Sequence, residues 1–457
     1  MRRTASRTGA LLTAALLVPL ATGCGGEAGA DGGHTVTVTV GYQSRTINTV
    51  TAGTLLRSLG YFEEELRARG ARDGHTYRVK WQDYATGAPI TAQMTAGKID
   101  IGSMGDFPLL INAARGAQLH RPTKLVSVTG YNLRGGLNTV VTAPDSKLAS
   151  LTDLRGAKVS TSIGSAADGT LVRALRQAGL DPDKDIRKLN QQPAVGASAL
   201  QAGSADALSQ FVAWPGLLAF QGRAKALYDG AELDLPTFHG VTVREDFAKR
   251  RPAVLEDFLR AQRRATDELR RHPVASAESV AKETGLPAEV VHLYNGSQGI
   301  ATFDPTLKPS LVAALKADVP VLRSAELVDE VDVDAFVDDR YVKKVYGSAY
   351  ATALAAGPPA ARGEVWLKGA DTTRSFATPA ELLRYVAAHR DEVRAAYVHD
   401  ATTGTLWFAD RAVWVADGSE LRPYVTESAA RAYLAGRPGS RVVPYSTALA
   451  VAGAPAS

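Results

Sequence analysis

The stretch MTAGKIDIGSMGD, residues 94–106, decides the fold class of this chain. Its first residues complete a helical pattern that starts at residue 88, and residues 99–102 have the apolar pattern of a short strand. Gly102 ends this strand and Gly105 follows shortly after it. Glycine lets a backbone approach a ligand closely because it has no side chain. The stretch therefore predicts a helix, a strand and a binding loop in succession.

The same alternation of strand and helix recurs along the chain. Residues 35–40 and 77–81 are β-rich, and residues 51–69 have helical periodicity. Residues 125–128 and 138–141 also have strand character, and we expect them to continue the same sheet. Regular alternation of this kind predicts an α/β protein with a parallel sheet built from βαβ units.

A second succession of short strands and helices follows before strand character resumes near residue 241. We therefore predict two lobes, with lobe 2 over about residues 142–237 and lobe 1 over about residues 34–141 and 238–350. A chain that crosses twice between lobes makes a hinge, and the cleft between the lobes is the default ligand site.

The composition changes after the second crossing. Residues 351–362 are rich in Ala, Gly and Pro, which predicts a linker. Residues 363–449 contain short strand patterns, helical patterns and a Thr403-Gly404 turn, and they predict a small α+β domain of its own.

The amino-terminal residues have the pattern of a secretory signal. Arginines precede the apolar run 11–20, and small residues lead to Cys24, the only cysteine of the chain. We expect residues 1–23 to be a lipoprotein signal peptide and Cys24 to carry a lipid that anchors the chain to the outer face of the cell membrane. An ordinary secretory signal with an incidental cysteine is the alternative. The glycine-rich residues 24–33 predict a flexible tether.

The composition and the missing motifs exclude several classes of function. The chain has 52 Lys and Arg against 47 Asp and Glu, and this near-balance argues against nucleic-acid binding. The sequence contains no GxSxG, HExxH, P-loop or CxxC motif, so we expect neither catalysis nor a cofactor or metal. We expect the protein to be a monomer.

Five segments, in a fixed order, carry a resemblance to a known family. They are Gly41-Tyr42-Gln43, residues 94–106, Ser162-Ile163-Gly164-Ser165, residues 202–207 and Ala213-Trp214-Pro215. Over residues 35 to about 345 the chain resembles the nitrate/sulfonate/taurine (SsuA/NrtA-like) family of ABC-transporter substrate-binding proteins. The resemblance implies a type II periplasmic-binding fold, a clamp without enzymatic activity that docks on permease subunits. Many members carry an acidic residue after the tryptophan motif, whereas Pro215-Gly216 stand here, so the family's ligands are not carried over.

The C-terminal domain resembles the NosL-type copper chaperones. The resemblance rests on Tyr397-Val398-His399-Asp400, Gly404, Trp407, Ala409-Asp410, residues 426–432 and residues 441–443. Copper(I) requires soft sulfur ligands, and no Met or Cys lies in this domain. We therefore expect the fold without the copper function. His389 and His399 are candidate residual ligands, and surface or core positions are the alternative for both.

The candidate ligand-binding residues of lobe 1 stand at predicted strand ends and helix starts. Thr86 and Gly87 precede a helix, whose first N–H groups are available to an anion. Gly105 allows close backbone approach, and Asp106 is expected either to cap the next helix or to bind a donor group of the ligand. Gln43 ends the first strand and offers both a donor and an acceptor.

The candidates of lobe 2 and of the return crossing are Ser162, Ser165, Trp214 and His239. The two serines lie where a strand leads into a helix, so they are expected either to bind an anion or simply to cap that helix. Trp214 is expected to form an aromatic wall or to belong to the core. His239, at the return into lobe 1, is expected to cover the cleft or to act as a pH-sensitive donor.

The charge of the ligand stays open at this point. We favour a small anion such as a sulfonate or nitrate, because helix N-termini predominate among the candidates. A small cationic nitrogen compound is the alternative, through carboxylates and cation–π contacts from Asp83, Asp106, Asp168, Tyr42, Tyr84 and Trp214. A further alternative places the function in the C-terminal domain, as metal handling or as binding of a partner protein.

Overall fold

The structure is a computed structural model, and it describes residues 35–453. The predicted signal peptide, the lipidation site Cys24 and the tether lie outside the described residues. Within residues 35–453, no helix is both long enough and apolar enough to cross a membrane.

Lobe 1 begins with four strands and the helices between them. A short 3-10 segment, Ile47–Ala52, follows the first strand. In chain order the elements are β1 (Thr35–Tyr42), α1 (Thr54–Leu59), α2 (Tyr61–Asp73), β2 (Thr76–Asp83), α3 (Gly87–Thr95), β3 (Ile101–Gly105), α4 (Asp106–Gln118) and β4 (Thr123–Asn132).

Lobe 2 follows after the first crossing of the chain. It contains two 3-10 segments, Leu151–Leu154 and Gly230–Leu233. Its strands and helices are β5 (Asn138–Thr142), β6 (Lys158–Thr161), α5 (Ala166–Gln177), β7 (Arg187–Asn190), α6 (Pro193–Gln201), β8 (Ala207–Phe211), α7 (Trp214–Phe220) and β9 (Lys225–Asp229).

The chain then returns to lobe 1, which it completes mainly with helices. A 3-10 segment, Gly347–Ala349, precedes the last of them. These elements are β10 (Thr237–Arg244), α8 (Glu245–Arg250), α9 (Pro252–Arg271), α10 (Pro273–Thr284), α11 (Ala288–Asn295), β11 (Thr302–Phe303), α12 (Pro309–Ser324), α13 (Val333–Phe336), α14 (Arg340–Tyr346) and α15 (Tyr350–Ala355).

The remaining elements form the C-terminal unit, defined here as residues 363–453. They are β12 (Gly363–Leu367), β13 (Thr373–Phe376), α16 (Pro379–Ala388), β14 (Val393–His399), β15 (Leu406–Phe408), β16 (Val413–Asp417), β17 (Glu420–Tyr424), α17 (Glu427–Leu434), β18 (Arg441–Val443) and α18 (Tyr445–Gly453). The strands form two sheets, β13-β12-β14-β15 and β17-β16-β18.

The sheets of both lobes contain the predicted parallel pairs, and they also contain antiparallel strands that the alternation of strands and helices did not predict. Lobe 1 has the order β11-β4-β10-β3-β1-β2, in which β1 is parallel to β2 and β3. Strand β10 inserts antiparallel between β3 and β4, because it carries the chain back from lobe 2 in the opposite direction. Lobe 2 has the order β7-β6-β8-β5-β9, with β6 parallel to β7 and β8.

Residues 138–141 do not continue the first sheet, as we had expected. Strand β5 lies in the sheet of lobe 2, antiparallel to β8 and β9. The crossing to lobe 2 therefore occurs before Asn138, within the segment 133–137 that contains two glycines. The sheet assignment of a short apolar strand depends on its pairing partners, and its own pattern is the same in either sheet.

The C-terminal unit is not joined by a free linker, and it does not stand apart from the lobes. Helix α15 occupies residues 350–355, so only residues 356–362 of the predicted linker lack regular structure. One continuous apolar core contains Leu55 and Leu293 of lobe 1 together with Trp366 and Tyr397 of the unit. The unit thus packs directly against the rest of the chain.

Candidate functional site

A partly open cavity of about 500 Å³ lies between the two lobes, at the carboxyl ends of the parallel strands. Seven of the nine predicted ligand-binding residues line it. The lining consists of Gln43, Thr86, Gly87, Ala88, Gly105, Pro108, Ser162, Ile163, Gly164, Ser165, Ala166, Asn190, Gln192, Phe211 and His239.

The wall from lobe 1 offers hydrogen-bond donors without a charged side chain. Thr86 immediately precedes α3, yet its hydroxyl does not cap the helix and has no hydrogen-bond partner among residues 35–453. The N–H groups of Gly87 and Ala88 begin the helix and lack partners within it. Gln43 is less free, since its Nε2 donates to the carbonyl of Ser103 at 3.0 Å.

Gly105 and His239 meet at the floor of the cavity. A Cβ at residue 105 would lie 3.2 Å from Nε2 of His239, so a larger residue there would press on the imidazole. Nδ1 of His239 contacts the side-chain amide of Asn48. Burial lowers the pKa of His239 from 6.5 to about 3, and the imidazole is therefore neutral at physiological pH.

The wall from lobe 2 uses its two serines differently. The hydroxyl of Ser162 donates to the carbonyl of Gln191 at 2.9 Å, so its proton is already committed. The hydroxyl of Ser165 caps α5 by accepting from the N–H of Asp168 at 3.3 Å. Capping uses only the oxygen, and the proton of Ser165 remains available to a ligand.

Among the lining residues that were not predicted, three have amide or aromatic side chains, namely Asn190, Gln192 and Phe211. Asn190 ends β7, Phe211 ends β8, and Gln192 directly precedes α6. Oδ1 of Asn190 accepts from the N–H of Ile163 at 3.2 Å, which leaves its amide N–H groups for a ligand. The rule that ligands bind at the carboxyl ends of strands would have found all three, had it been applied to every strand of lobe 2.

Asp106 does not line the cavity, although we expected it as a candidate. The side chain is fully buried, and its oxygens accept from the N–H groups of Phe107 at 2.8 Å and Phe238 at 3.2 Å. Burial raises the pKa of Asp106 to about 6, against the opposing effect of those hydrogen bonds and of Arg173. Asp106 thus ties α4 to the return strand β10.

Trp214 is the second predicted residue outside the lining. It is the first residue of α7, half-buried, and it packs against the apolar cores on either side of that helix. The guanidinium of Arg45 lies 5.9 Å from the centre of its ring. The tryptophan is therefore a packing contact between α7, the neighbouring apolar cores and the loop after β1.

The cavity wall contains no carboxylate and no cation. Asp83 accepts instead from the N–H and the hydroxyl of Ser44, at 2.8 and 2.6 Å. Asp168 accepts from the N–H of Gly164 at 3.0 Å and faces Nζ of Lys188 at 3.5 Å. Four helices, α3, α4, α5 and α6, begin at the cavity, and their N-terminal ends carry a partial positive charge. This wall fits an anion and offers nothing to balance a cation.

The two lobes contact each other beside the cavity. The ring of Phe107 in α4 packs directly over Gly169 in α5, which leaves no room for a side chain there. Nη2 of Arg173 in α5 lies 2.8 Å from Oδ1 of Asp318 in α12. These contacts hold the lobes together across the cleft.

The C-terminal unit contacts both sides of the hinge. Arg134, in the crossing segment, donates to the carbonyls of Thr402 and Thr403, each at 3.2 Å. The hydroxyl of Thr403 donates to Oδ2 of Asp229 in lobe 2 at 2.7 Å. On the other side the hydroxyl of Tyr397 donates to the carbonyl of Glu289 in α11 at 2.9 Å.

His389 and His399 each bond to backbone carbonyls within or next to the C-terminal unit. His389 stacks on Tyr385 and bonds to its carbonyl at 2.9 Å. The two ring nitrogens of His399 bond to the carbonyls of Gly404 and Arg362, at 2.8 and 3.1 Å. No group of three or more potential metal ligands exists within residues 35–453.

Comparison with known proteins supports the two-lobed fold and the sequence resemblance. Residues 78–276 match the family model described as NMT1/THI5 like. The chain is 28% identical over 267 residues to an Escherichia coli (strain K12) protein named for binding aliphatic sulfonates, which covers 58% of this chain and 76% of that protein. The matched family model and this named relative support the resemblance to the SsuA/NrtA-like family.

Solved structures of the family have the same two-lobed fold. The alkanesulfonate-binding protein SsuA from Xanthomonas axonopodis pv. citri, bound to MOPS, superposes with a TM-score of 0.56 at 23% identity, over 67% of this chain and 99% of its own. The nitrate-binding protein NrtA from Synechocystis PCC 6803 gives 0.54 at 12% identity, over 72% and 93%. The predicted type II periplasmic-binding fold is therefore confirmed.

A further solved structure with this fold holds a sulfinic acid. A variant of DSZB in complex with biphenyl-2-sulfinic acid gives a TM-score of 0.50 at 17% identity, over 68% of this chain and 98% of its own. A fold does not by itself decide between binding and turnover, so that question depends on the site. The resemblance of residues 363–449 to NosL-type domains stays a prediction.

Proposed function

We propose that this chain is the extracytoplasmic solute-binding component of an ABC importer, and that its cleft holds a small sulfonate or a related oxyanion without chemical turnover. The proposal includes membrane anchoring through a lipid on Cys24 and docking on permease subunits. The names of the related binding proteins support the importer role.

One observation supports an anion in particular. The cavity is lined by the starts of four helices and by neutral donors, and the lining includes neither a carboxylate nor a basic side chain in its charged form. Desolvating an anion there is compensated by N–H groups and hydroxyls that are already oriented. A cation would lose its hydration without any such compensation.

The donors come from both lobes, and this supports binding by hinge closure. Thr86, Gly87 and Ala88 belong to lobe 1, whereas Ser165, Asn190 and Gln192 belong to lobe 2. A ligand that contacts both sets stabilises the closed arrangement more than the open one and shifts the population towards it.

The first test is isothermal titration calorimetry of residues 34–457, which include every described residue, with ethanesulfonate, taurine, nitrate and ethylammonium. We expect binding of an anion and no binding of ethylammonium. The Thr86→Val substitution removes an unpartnered hydroxyl and should weaken anion binding by roughly tenfold without lowering the melting temperature.

Thr142→Val is the matched control. The hydroxyl of Thr142 is also buried and unpartnered, but the residue lies in β5 and does not line the cavity. We expect its affinity to stay within about twofold of the unsubstituted protein. Equal weakening by both substitutions, or tighter binding of ethylammonium than of any anion, would contradict the proposal. Chemical change of the bound anion on prolonged incubation would show turnover and refute simple binding.

A further inference from the structure

A second cavity lies between lobe 2 and the C-terminal unit. It encloses about 960 Å³, compared with about 500 Å³ for the cleft. Its walls come from the end of α7 in lobe 2 and from α16, β14, β15 and α18 of the unit. Unlike the cleft, this cavity contains both aromatic and charged side chains.

The apolar side of this cavity is aromatic. The rings of Phe220 in α7 and Phe408 in β15 have their centres 5.4 Å apart, and Tyr445 in α18 contributes a third ring. Phe408 is buried, whereas Phe220 and Tyr445 are only half-buried. The cavity therefore exposes aromatic surface that a flat apolar group would cover, with favourable ring packing.

Two of the three arginines on the other side already have partners. Arg394 pairs with Glu278 at 2.9 Å and with Glu289 at 2.7 Å. Arg411 lies 3.4 Å from the carboxylate of Asp410, which also lines the cavity. Neither guanidinium offers an uncompensated charge to a ligand.

Arg390 is the exception. Among residues 35–453 its guanidinium has no carboxylate partner and no hydrogen bond, and the hydroxyl of Tyr445 has no hydrogen bond either. Both residues line the cavity. Burial and the nearby charge of Asp410 raise the pKa of Tyr445, and the positive charge of Arg390 opposes that rise. A free cation and a free hydroxyl thus stand at the edge of an aromatic cavity.

We propose that this second cavity binds an aromatic organic anion. Its carboxylate or sulfonate group pairs with Arg390 and its ring packs against Phe220 and Phe408. A charge-assisted hydrogen bond to a guanidinium is stronger than a neutral one, and the rings supply the apolar contact. The proposal does not depend on the function of the cleft, because the two cavities share no lining residue.

The test is calorimetric titration of residues 34–457 with 2-naphthoate, and with 2-naphthamide as its neutral counterpart. We expect 2-naphthoate to bind at least about tenfold more tightly than the amide, and Arg390→Gln to remove that difference. Arg384→Gln is the matched control, because Arg384 is an exposed arginine of α16 that does not line the cavity. It changes the net charge equally and should leave affinity within about twofold.

Each other outcome counts against the proposal. Absence of binding, or equal binding of acid and amide, would refute recognition of the anionic group. Equal effects of the two arginine substitutions would indicate a general charge effect. Loss of 2-naphthoate binding in Thr86→Val, with Arg390→Gln unaffected, would place the molecule in the cleft and refute the second site while supporting the first.

Discussion

Nε2 of His292 in α11 lies 3.0 Å from Oε2 of Glu364 in β12, and both side chains are completely buried. The hydroxyls of Ser297 and Thr373 also donate to Glu364, the latter at 3.0 Å. Burial alone would raise the pKa of Glu364, but these hydrogen bonds and the interaction with His292 hold it below its usual value. An ionised carboxylate therefore joins the C-terminal unit to the rest of the chain.

We predict that Glu364→Gln lowers the free energy of unfolding by about 3 kcal/mol, because it leaves a buried histidine without its charged partner. Denaturant unfolding at pH 7 measures this loss. Lys316→Gln is the control, since Lys316 and Asp334 form a largely exposed pair whose removal should cost less than about 1 kcal/mol. Equal losses in the two variants would show that the buried pair contributes no more to the free energy of unfolding than the exposed pair.

We predict that Gly164→Ala weakens anion binding in the cleft. Gly164 has a φ of 79°, and a Cβ there would lie 3.1 Å from Cδ1 of Ile111 in the opposite lobe. The substitution thus adds backbone strain of about 1–2 kcal/mol and also pushes on the other lobe. Calorimetry with the anion that binds measures the affinity.

Gly203→Ala separates the two effects of that substitution. Gly203 has a φ of 68° with open space around it, so its substitution adds similar strain without touching lobe 1. We expect both variants to lose stability and only Gly164→Ala to lose affinity. A similar loss of affinity in both would assign the effect to backbone strain within lobe 2.

His239 should make stability depend on pH. Its pKa in the folded chain is about 3, below the ordinary value of 6.5. As the pH falls below 6.5, the histidine is therefore protonated in the unfolded chain while it stays neutral in the folded chain. Stability is therefore present above pH 6.5 and decreases as the pH falls towards 3. Between pH 7 and pH 5 we expect the unsubstituted protein to lose about 2 kcal/mol more than His239→Gln.

Asp106 acts in the opposite direction, since its raised pKa makes its contribution fall as the pH rises towards 6. Because Asp106 is present in both proteins, the comparison with His239→Gln isolates the histidine. Identical pH profiles of the free energy of unfolding would disprove the buried, neutral state of His239.

We predict that Arg173→Gln weakens ligand binding, because Arg173 joins α5 to Asp318 across the lobe interface and also reduces the cost of ionising Asp106. We expect an affinity loss of roughly tenfold in calorimetry. Arg176→Gln, one helical turn further along α5, removes only an exposed bond to Ser324 and should have a much smaller effect. A larger affinity loss in Arg176→Gln than in Arg173→Gln would show that the exposed bond to Ser324, and not the pair with Asp318, is the contact that matters for binding.

The sequence predicted those features that depend on local pattern. Strand β1 covers Thr35–Tyr42, where the β-rich pattern of residues 35–40 predicted a strand. The loop at Ser162 and Ser165 was found because a strand, a glycine and a capping serine stand in succession. Such signals lie within a few residues of each other.

Features that depend on a distant partner could not be predicted. The apolar pattern of β5 is the same in either sheet, and only its pairing with β8 and β9 places it in lobe 2. Trp214 lies close in sequence to Phe211, yet the start of α7 directs one away from the cleft while the other lines it. The sequence pattern of residues 363–449 likewise did not indicate that Trp366 and Tyr397 pack against His292 of α11.

The packing of the C-terminal unit has a consequence for how relatives of this chain can be recognised. Phe220 meets the ring of Phe408, and His292 lies against Trp366 and Glu364, so the unit covers part of Phe220 and contributes to the burial of His292. A relative that consists of the two lobes alone would present these same two positions to water. We therefore expect relatives with such an added unit to carry aromatic or tightly packed residues at these two positions, and relatives without it to carry residues suited to a solvated surface.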